Sequence, residues 1–307
     1  VHSWFPLFNA QICLIYQDSA PSRDPSPTSR NQVADSQLNG IVLRIGATQM
    51  SEPLVQIENA VKRFKTPAKG ILSVLDGLGI AFAKGEFVCL LGPSGCGKSI
   101  LLNAIAGQEQ LDAGQIRIGG TTKPIAGESL RVAMVWQSDS LLPWKTAQAN
   151  VEFSLLVSGI KGNQRQQRAL KWLQAVGLQG FEAYYPAQLS EGMRQRVSLA
   201  AALSIEPDLL LMDEPFGALD VYTKLQIEKE VVRLWEAMDA TIIMVTHDVQ
   251  EAVALADRVV MLTARPTTVA FETTIDLPRP RDLDRIYGDP QFHTKVSELW
   301  QALTNPG

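Results

Sequence analysis

From Leu54 onward the chain alternates short apolar runs with longer amphipathic stretches. The runs Phe87–Leu91, Val132–Val135, Leu209–Met212, Thr241–Val245 and Arg258–Leu262 consist mainly of Val, Leu, Ile and Met and show no polar alternation. Short runs of that kind read as strands buried on both faces, and strands separated by helical segments pair in parallel. The pattern predicts an α/β domain with a largely parallel sheet. Between Gln137 and Ser190 the strand signal stops, and QRQQRALKWLQAVGL carries apolar residues at helical spacing. A mostly helical subdomain, about 138–195, is therefore expected inside an α/β domain spanning 50–265. After Leu262 the chain turns polar and proline-marked, with DLPRPRD at Asp276–Asp282, and ends in an amphipathic helix from about Pro290 to Leu303. Residues 266–307 read as a short appendix, too small for a second core.

Residues 1–49 follow neither period. An apolar stretch from Trp4 to Tyr16 leads into QDSAPSRDPSPTSRNQ, a composition expected to stay disordered. No basic residue precedes the stretch and no small-x-small pattern closes it, which argues against a secretory signal. Met50 immediately precedes the first strand-like run, LVQIENA, so this extension is expected to be disordered or non-native upstream sequence.

The 46% hydrophobic and 20% charged composition is that of a globular protein, and a net charge of −4 supplies no general basic field for nucleic acid. Cys13, Cys89 and Cys96 show no CxxC spacing, which points to a reducing compartment without zinc or a disulfide framework. Nowhere do eighteen apolar residues run uninterrupted, so any membrane crossed must be spanned by other chains.

GPSGCGKS, Gly92 to Ser99, fits G-x-x-x-x-G-K-[ST] between a buried strand and a helix. Gly92, Pro93, Ser94, Gly95, Cys96 and Gly97 would turn backbone N–H groups toward phosphates at a helix N-terminus. Lys98 would neutralise the β- and γ-phosphates, and Ser99 would ligate Mg²⁺. LLLMDEP, Leu209 to Pro215, is an apolar strand ending in two carboxylates. Asp213 would hold the magnesium and Glu214 would polarise the attacking water, whereas the plain alternative is a pair of turn residues. His247 follows the strand TIIMVT and precedes a helix. A lone histidine is more often structural, but the C-terminal end of a parallel strand is where ligands collect.

LSEGMRQR at Leu189–Arg196 resembles the signature sequence of ATP-binding-cassette ATPases. The order of phosphate loop, Gln137, signature, acidic pair, GALD at Gly217–Asp220 and VTHD at Val245–Asp248 is similar to that family from about Leu54 to Leu262. The resemblance implies a P-loop ATPase core with an antiparallel β region near the N-terminus. It also implies two cassettes, as a homodimer or heterodimer, each ATP lying between one phosphate loop and the other signature. In that arrangement Ser190 and Gly192 would reach the γ-phosphate across the interface, Gln137 would sense Mg²⁺ and water, His247 would contact the γ-phosphate and Asp220 would join the halves. Phe64 stands where an aromatic residue stacks on adenine; its alternative is a core position.

LLPW after Gln137, the Met of LSEGM, DEPFGALD and PRPRD resemble the importer branch for nitrate, taurine and aliphatic sulfonates. That branch implies a peripheral position on the cytoplasmic face of the inner membrane. Its partners would be transmembrane permease subunits, indirectly a periplasmic or lipoprotein solute-binding protein, and no nucleic acid. Leu141, Leu142, Pro143 and Trp144 are candidates to receive the permease, with an internal hydrophobic staple as the alternative. Three residues depart from the family pattern: Ile100 for Thr or Ser, Glu191 for the first signature glycine, and Ala201 where many relatives carry Arg. Ile100 removes a hydroxyl expected near the α-phosphate. A cassette ATPase of metal-cluster assembly and a catalytically silent nucleotide-binding regulator are the rival readings, the second opposed by intact Glu214 and His247.

Overall fold

A computed structural model describes residues 53–304 apart from 68–69, 123–129, 139 and 239, so the expectation for residues 1–49 lies outside the described residues. The chain opens with strands β1 (Val55–Lys65) and β2 (Ile71–Phe82), then the buried strand β3 (Phe87–Leu91), helix α1 (Lys98–Ile105) and strand β4 (Ala113–Ile118). Next come β5 (Val132–Val135), three helices α2 (Ala147–Val157), α3 (Gly162–Ala175) and α4 (Glu191–Ser204), and β6 (Leu209–Asp213). The remainder is α5 (Val221–Met238), β7 (Thr241–Val245), α6 (Val249–Leu255), β8 (Arg258–Leu262), β9 (Val269–Thr274) and α7 (Pro290–Thr304).

β2, β1 and β4 form a three-stranded antiparallel sheet, the β region expected near the N-terminus. The main sheet has the order β5-β6-β7-β3-β8-β9, parallel except for β9. Every residue of β3, β6 and β7 is buried, which is why these strands read as unbroken apolar runs. β9, at the rim, alternates half-buried and exposed positions in VAFETT, as an antiparallel edge strand does. α4 is buried from Val197 to Ser204, and its small AAA stretch lets it lie between the sheet and helices α2 and α3.

The segment after β8 supplies that edge strand and more of the core. Ile275, Leu277, Leu283, Ile286, Phe292, Val296 and Leu299 are buried in the same cluster as Phe87 and Met212. Each such side chain stabilises the fold by about 1.5–3 kcal/mol relative to exposure. The Arg279 guanidinium lies 4.0 Å from the Trp235 ring centroid, and Trp235 meets Phe87 edge-on at 5.5 Å. Arg281 donates to the carbonyls of Val253 at 2.9 Å and Ala256 at 2.7 Å, satisfying orphan acceptors at the end of α6. Among the described residues no helix is long and apolar enough to cross a membrane.

Candidate active site

The phosphate loop spans the turn from β3 into α1. Gly97, the residue capping α1, has φ +120°, and a Cβ there would lie 2.6 Å from Val74 Cγ1. Gly92 faces the end of β8 so closely that a Cβ would stand 3.0 Å from the Leu262 carbonyl oxygen. Gly97 thus needs glycine on both counts, and a side chain at Gly92 would crowd the Leu262 backbone. Thr267, from the β8–β9 connection, donates its hydroxyl to the Cys96 carbonyl and its N–H to Val74, so the loop is braced from outside. Lys98 is buried, and its Nζ donates to the carbonyls of Gly92 at 2.8 Å and Pro93 at 3.0 Å. Its ammonium therefore sits within the curve of the loop, where an anion held by the loop N–H groups would meet it.

Gln137 follows β5, Glu214 follows β6 and His247 follows β7, and these three strands are neighbours in the sheet. The shared C-terminal edge brings the three side chains to one point. Gln137 Nε2 donates to Glu214 Oε2 at 3.2 Å, and His247 Nδ1 lies 3.3 Å from the same oxygen. Glu214 has φ 47°, a left-handed conformation that costs a non-glycine residue about 1 kcal/mol or more. Its N–H bond to the Val245 carbonyl at 2.9 Å helps hold it there.

Asp213, at the end of β6, is buried beside this group. Burial raises its pKa and Glu214 adds to the effect, while the Ser99 hydrogen bond and the Lys98 charge oppose it. A carboxylate and a hydroxyl on adjoining strand and helix ends are oxygen donors that would fit a hard cation such as Mg²⁺.

Behind His247, Asp248 caps α6 by accepting from Gln250 N at 2.9 Å and Glu251 N at 3.2 Å. Its other oxygen takes a hydrogen bond of 2.9 Å from Lys224 Nζ on α5, which also lies 2.9 Å from Glu251 Oε1 and 3.8 Å from Glu228 Oε1. Burial, then the Glu251 charge, pushes the Glu228 carboxyl up to about 8. A carboxyl whose folded-state pKa is raised stabilises the fold below the ordinary carboxylate range, and that contribution is lost as pH climbs toward 8. Wild-type stability is therefore expected to fall by a few kcal/mol, at the order-of-magnitude level, between about pH 5 and pH 8.5, and Glu228→Gln to flatten the fall. Urea midpoints across that range check this; parallel curves for the two proteins would refute it.

Ser190 and Gly192 make their contacts elsewhere. The Ser190 hydroxyl caps α4 by accepting from Met193 N at 3.3 Å, and a Cβ on Gly192 would stand 3.3 Å from the Ala218 carbonyl oxygen. The signature therefore abuts the GALD turn, where Asp220 caps α5 through Thr223 N at 3.0 Å. Glu191 lies exposed in the first turn of α4, a favourable place for an anion against the helix dipole. Phe64 and Ile100 are half-buried against the core shared by β1, β2 and α1, and Lys62 Nζ sits 5.1 Å from the Phe64 ring centroid. Lys224, Glu228 and Glu251 are structural participants that sequence motifs did not single out, and Arg281 of the PRPRD motif is held as a carbonyl-binding core residue.

A sequence model described as ABC transporter matches residues 75–217. The bicarbonate transport ATP-binding protein CmpD of Synechococcus elongatus is 41% identical over 245 residues, 79% of this chain and 87% of that protein. The chain belongs to the ABC transporter family. The nitrate import ATP-binding protein NrtD of Synechocystis is 40% identical to this ABC protein over 240 residues, 76% of this chain and 90% of that one. A dimeric post-hydrolysis structure of the ATP-binding cassette MJ0796 with ADP and Pi matches with a TM-score of 0.65 and 30% identity, covering 73% of this chain and all of that one. The fold is the ABC ATPase fold, and the activity of this ABC protein is ATP hydrolysis.

Proposed function

We propose that this chain is the ATP-hydrolysing subunit of an importer for a small oxyanion such as nitrate, bicarbonate, taurine or a related sulfonate. The observation that carries the catalytic part is the convergence of Gln137 and His247 on one oxygen of Glu214, beside Lys98 and Asp213. Glu214 draws a proton from the attacking water, Gln137 orients that water, and His247 faces the γ-phosphate. Lys98 and the loop N–H groups hold the phosphates, and Phe64 stacks on adenine. Ser99 and Asp213 would hold Mg²⁺, which would supply charge neutralisation for the phosphate oxygens.

Ser190 and Gly192 of a second cassette would supply further contacts to the γ-phosphate. The similarity to a dimeric cassette structure supports that arrangement. The transported solute is read from the relatives named for bicarbonate and nitrate.

A groove between β5, α2 and α4, lined by Met134, Trp136, Leu141, Ser154, Ser198 and Ala201, is the proposed seat for a cytoplasmic helix of the membrane partner. The small Ala201 leaves room there that an arginine would fill. Leu141 is a buried core residue at 9% exposure, so it forms the floor of the groove and not its contact surface. Trp144, in the turn before α2, is 66% exposed and carries the candidate contact. Trp144→Glu is expected to cut recovery of the subunit with its permease from detergent by about tenfold, the loss of one buried aromatic anchor. Its melting temperature should stay within about 1 °C of wild type, since an exposed substitution changes stability little. Full recovery of the complex would remove Trp144 from the interface, and failure of any permease to co-purify would sink the transport reading.

A further inference from the structure

We propose that Lys224 is a positioning residue for His247, tying the helix that follows the GALD turn to the residue beside the catalytic histidine. The proposal rests on the reading that His247 faces the γ-phosphate.

The geometry is that of a single cation among three carboxylates on two helices. Lys224 Nζ reaches Asp248 Oδ2 and Glu251 Oε1, both at 2.9 Å, and Glu228 Oε1 at 3.8 Å. Asp248 is divided between two tasks: Oδ1 caps α6 through Gln250 and Glu251, and Oδ2 takes the lysine. The Asp248 N–H also bonds Thr246 Oγ1 at 3.0 Å, so the backbone on both sides of His247 is pinned while the imidazole itself stays 65% exposed. Lys224 begins one turn after Asp220, with its N–H on the Asp220 carbonyl at 2.8 Å. Movement of the GALD turn is thereby transmitted to the His247 backbone through one ammonium group.

The groups facing Lys224 are Glu228 on its own helix, Asp248 and Glu251 on α6, and Tyr287 from the turn before α7, whose pKa is pushed up to about 12 by burial and then by Glu228. Glu228 Oε1 has no hydrogen-bond partner although it is almost fully buried. Removal of the ammonium leaves those carboxylates facing one another, and their repulsion grows as pH rises and they ionise.

The test is steady-state ATPase kinetics on the full chain with Lys224→Met, Lys224→Arg, Asp248→Asn and His247→Ala. Relative to wild type at the same pH, Lys224→Met is expected to lose about tenfold in kcat near pH 8.5 and about threefold or less near pH 6.5, with KM for ATP within about twofold. Lys224→Arg should restore most of the loss, and Lys224→Met should cost nothing further in a His247→Ala background. Equal turnover in Lys224→Met and wild type, a loss that does not vary with pH, or the same fractional loss with His247 absent would each overturn the proposal. Should Lys224→Met not fold, Asp248→Asn breaks the same ion pair while keeping the helix cap, and wild-type kcat in that variant overturns the proposal equally. Undiminished turnover in His247→Ala would instead overturn the reading of the histidine on which the proposal rests.

Discussion

Glu214→Gln is expected to lower ATP turnover by about 10²–10⁴-fold while leaving nucleotide affinity within about threefold of wild type. The amide has the same shape as the carboxylate, so the left-handed turn at φ 47° and the Val245 bond need not change. Its oxygen still accepts from Gln137, now 3.2 Å from the carboxylate, so the neighbours keep their places. What disappears is a group able to draw a proton from water beside His247. Phosphate release and equilibrium nucleotide binding, measured on the same preparation, separate the two effects. Turnover within about threefold of wild type would exclude Glu214 as the general base.

Gly97→Ala is expected to have the second largest effect, because it violates the phosphate loop twice. The φ of +120° is disfavoured for any residue with a Cβ, and that atom would lie 2.6 Å from Val74 Cγ1. Backbone strain of about 1–3 kcal/mol adds to a similar cost for overpacking, which lowers the melting temperature by about 5–15 °C. Relief of the clash shifts either the Val74 side chain or the start of α1, and the positive φ favours the second, which carries Lys98 and Ser99. A loss of about 10–100-fold in ATP affinity follows from weakening one charge-assisted contact. Gly77→Ala is the control: its φ is +72°, but a Cβ there meets nothing within 4 Å. It should lower stability slightly and leave ATP affinity unchanged. Calorimetry showing equal ATP affinity in all three proteins would mean that the loop does not depend on the fit at Gly97.

The elements legible from sequence are those whose burial is uniform. β3, β6 and β7 are buried along their whole length, so their residues form apolar runs that no helix period explains. β9 gives no such signal because it lies at the sheet's rim, where every second residue faces solvent and the chemistry resembles a loop. The candidate site is legible for a topological reason as well as from its motifs. Gln137, Glu214 and His247 are far apart in sequence, yet each follows one of three adjacent parallel strands, so the strand order alone carries them to a common edge. Lys224 and Glu228 give no such signal, since a lysine and a glutamate four residues apart on a helix read as a solvated face. Only the ion pairs to α6 and the near-complete burial of Glu228 show that this pair is half or fully covered. Leu141 illustrates the converse: an apolar residue in a candidate docking segment is core, in the same buried cluster as Val151 and Leu155 of α2.

In the proposed assembly, Lys98, Asp213 and Glu214 of one chain complete their ATP site with Ser190 and Gly192 of a second. Sedimentation velocity on Glu214→Gln tests it most directly, because a chain that binds ATP without consuming it should hold the paired state. The expected result is a single-chain mass without nucleotide and twice that mass with saturating Mg-ATP. A protein that binds Mg-ATP and keeps its single-chain mass at every concentration would contradict the shared site.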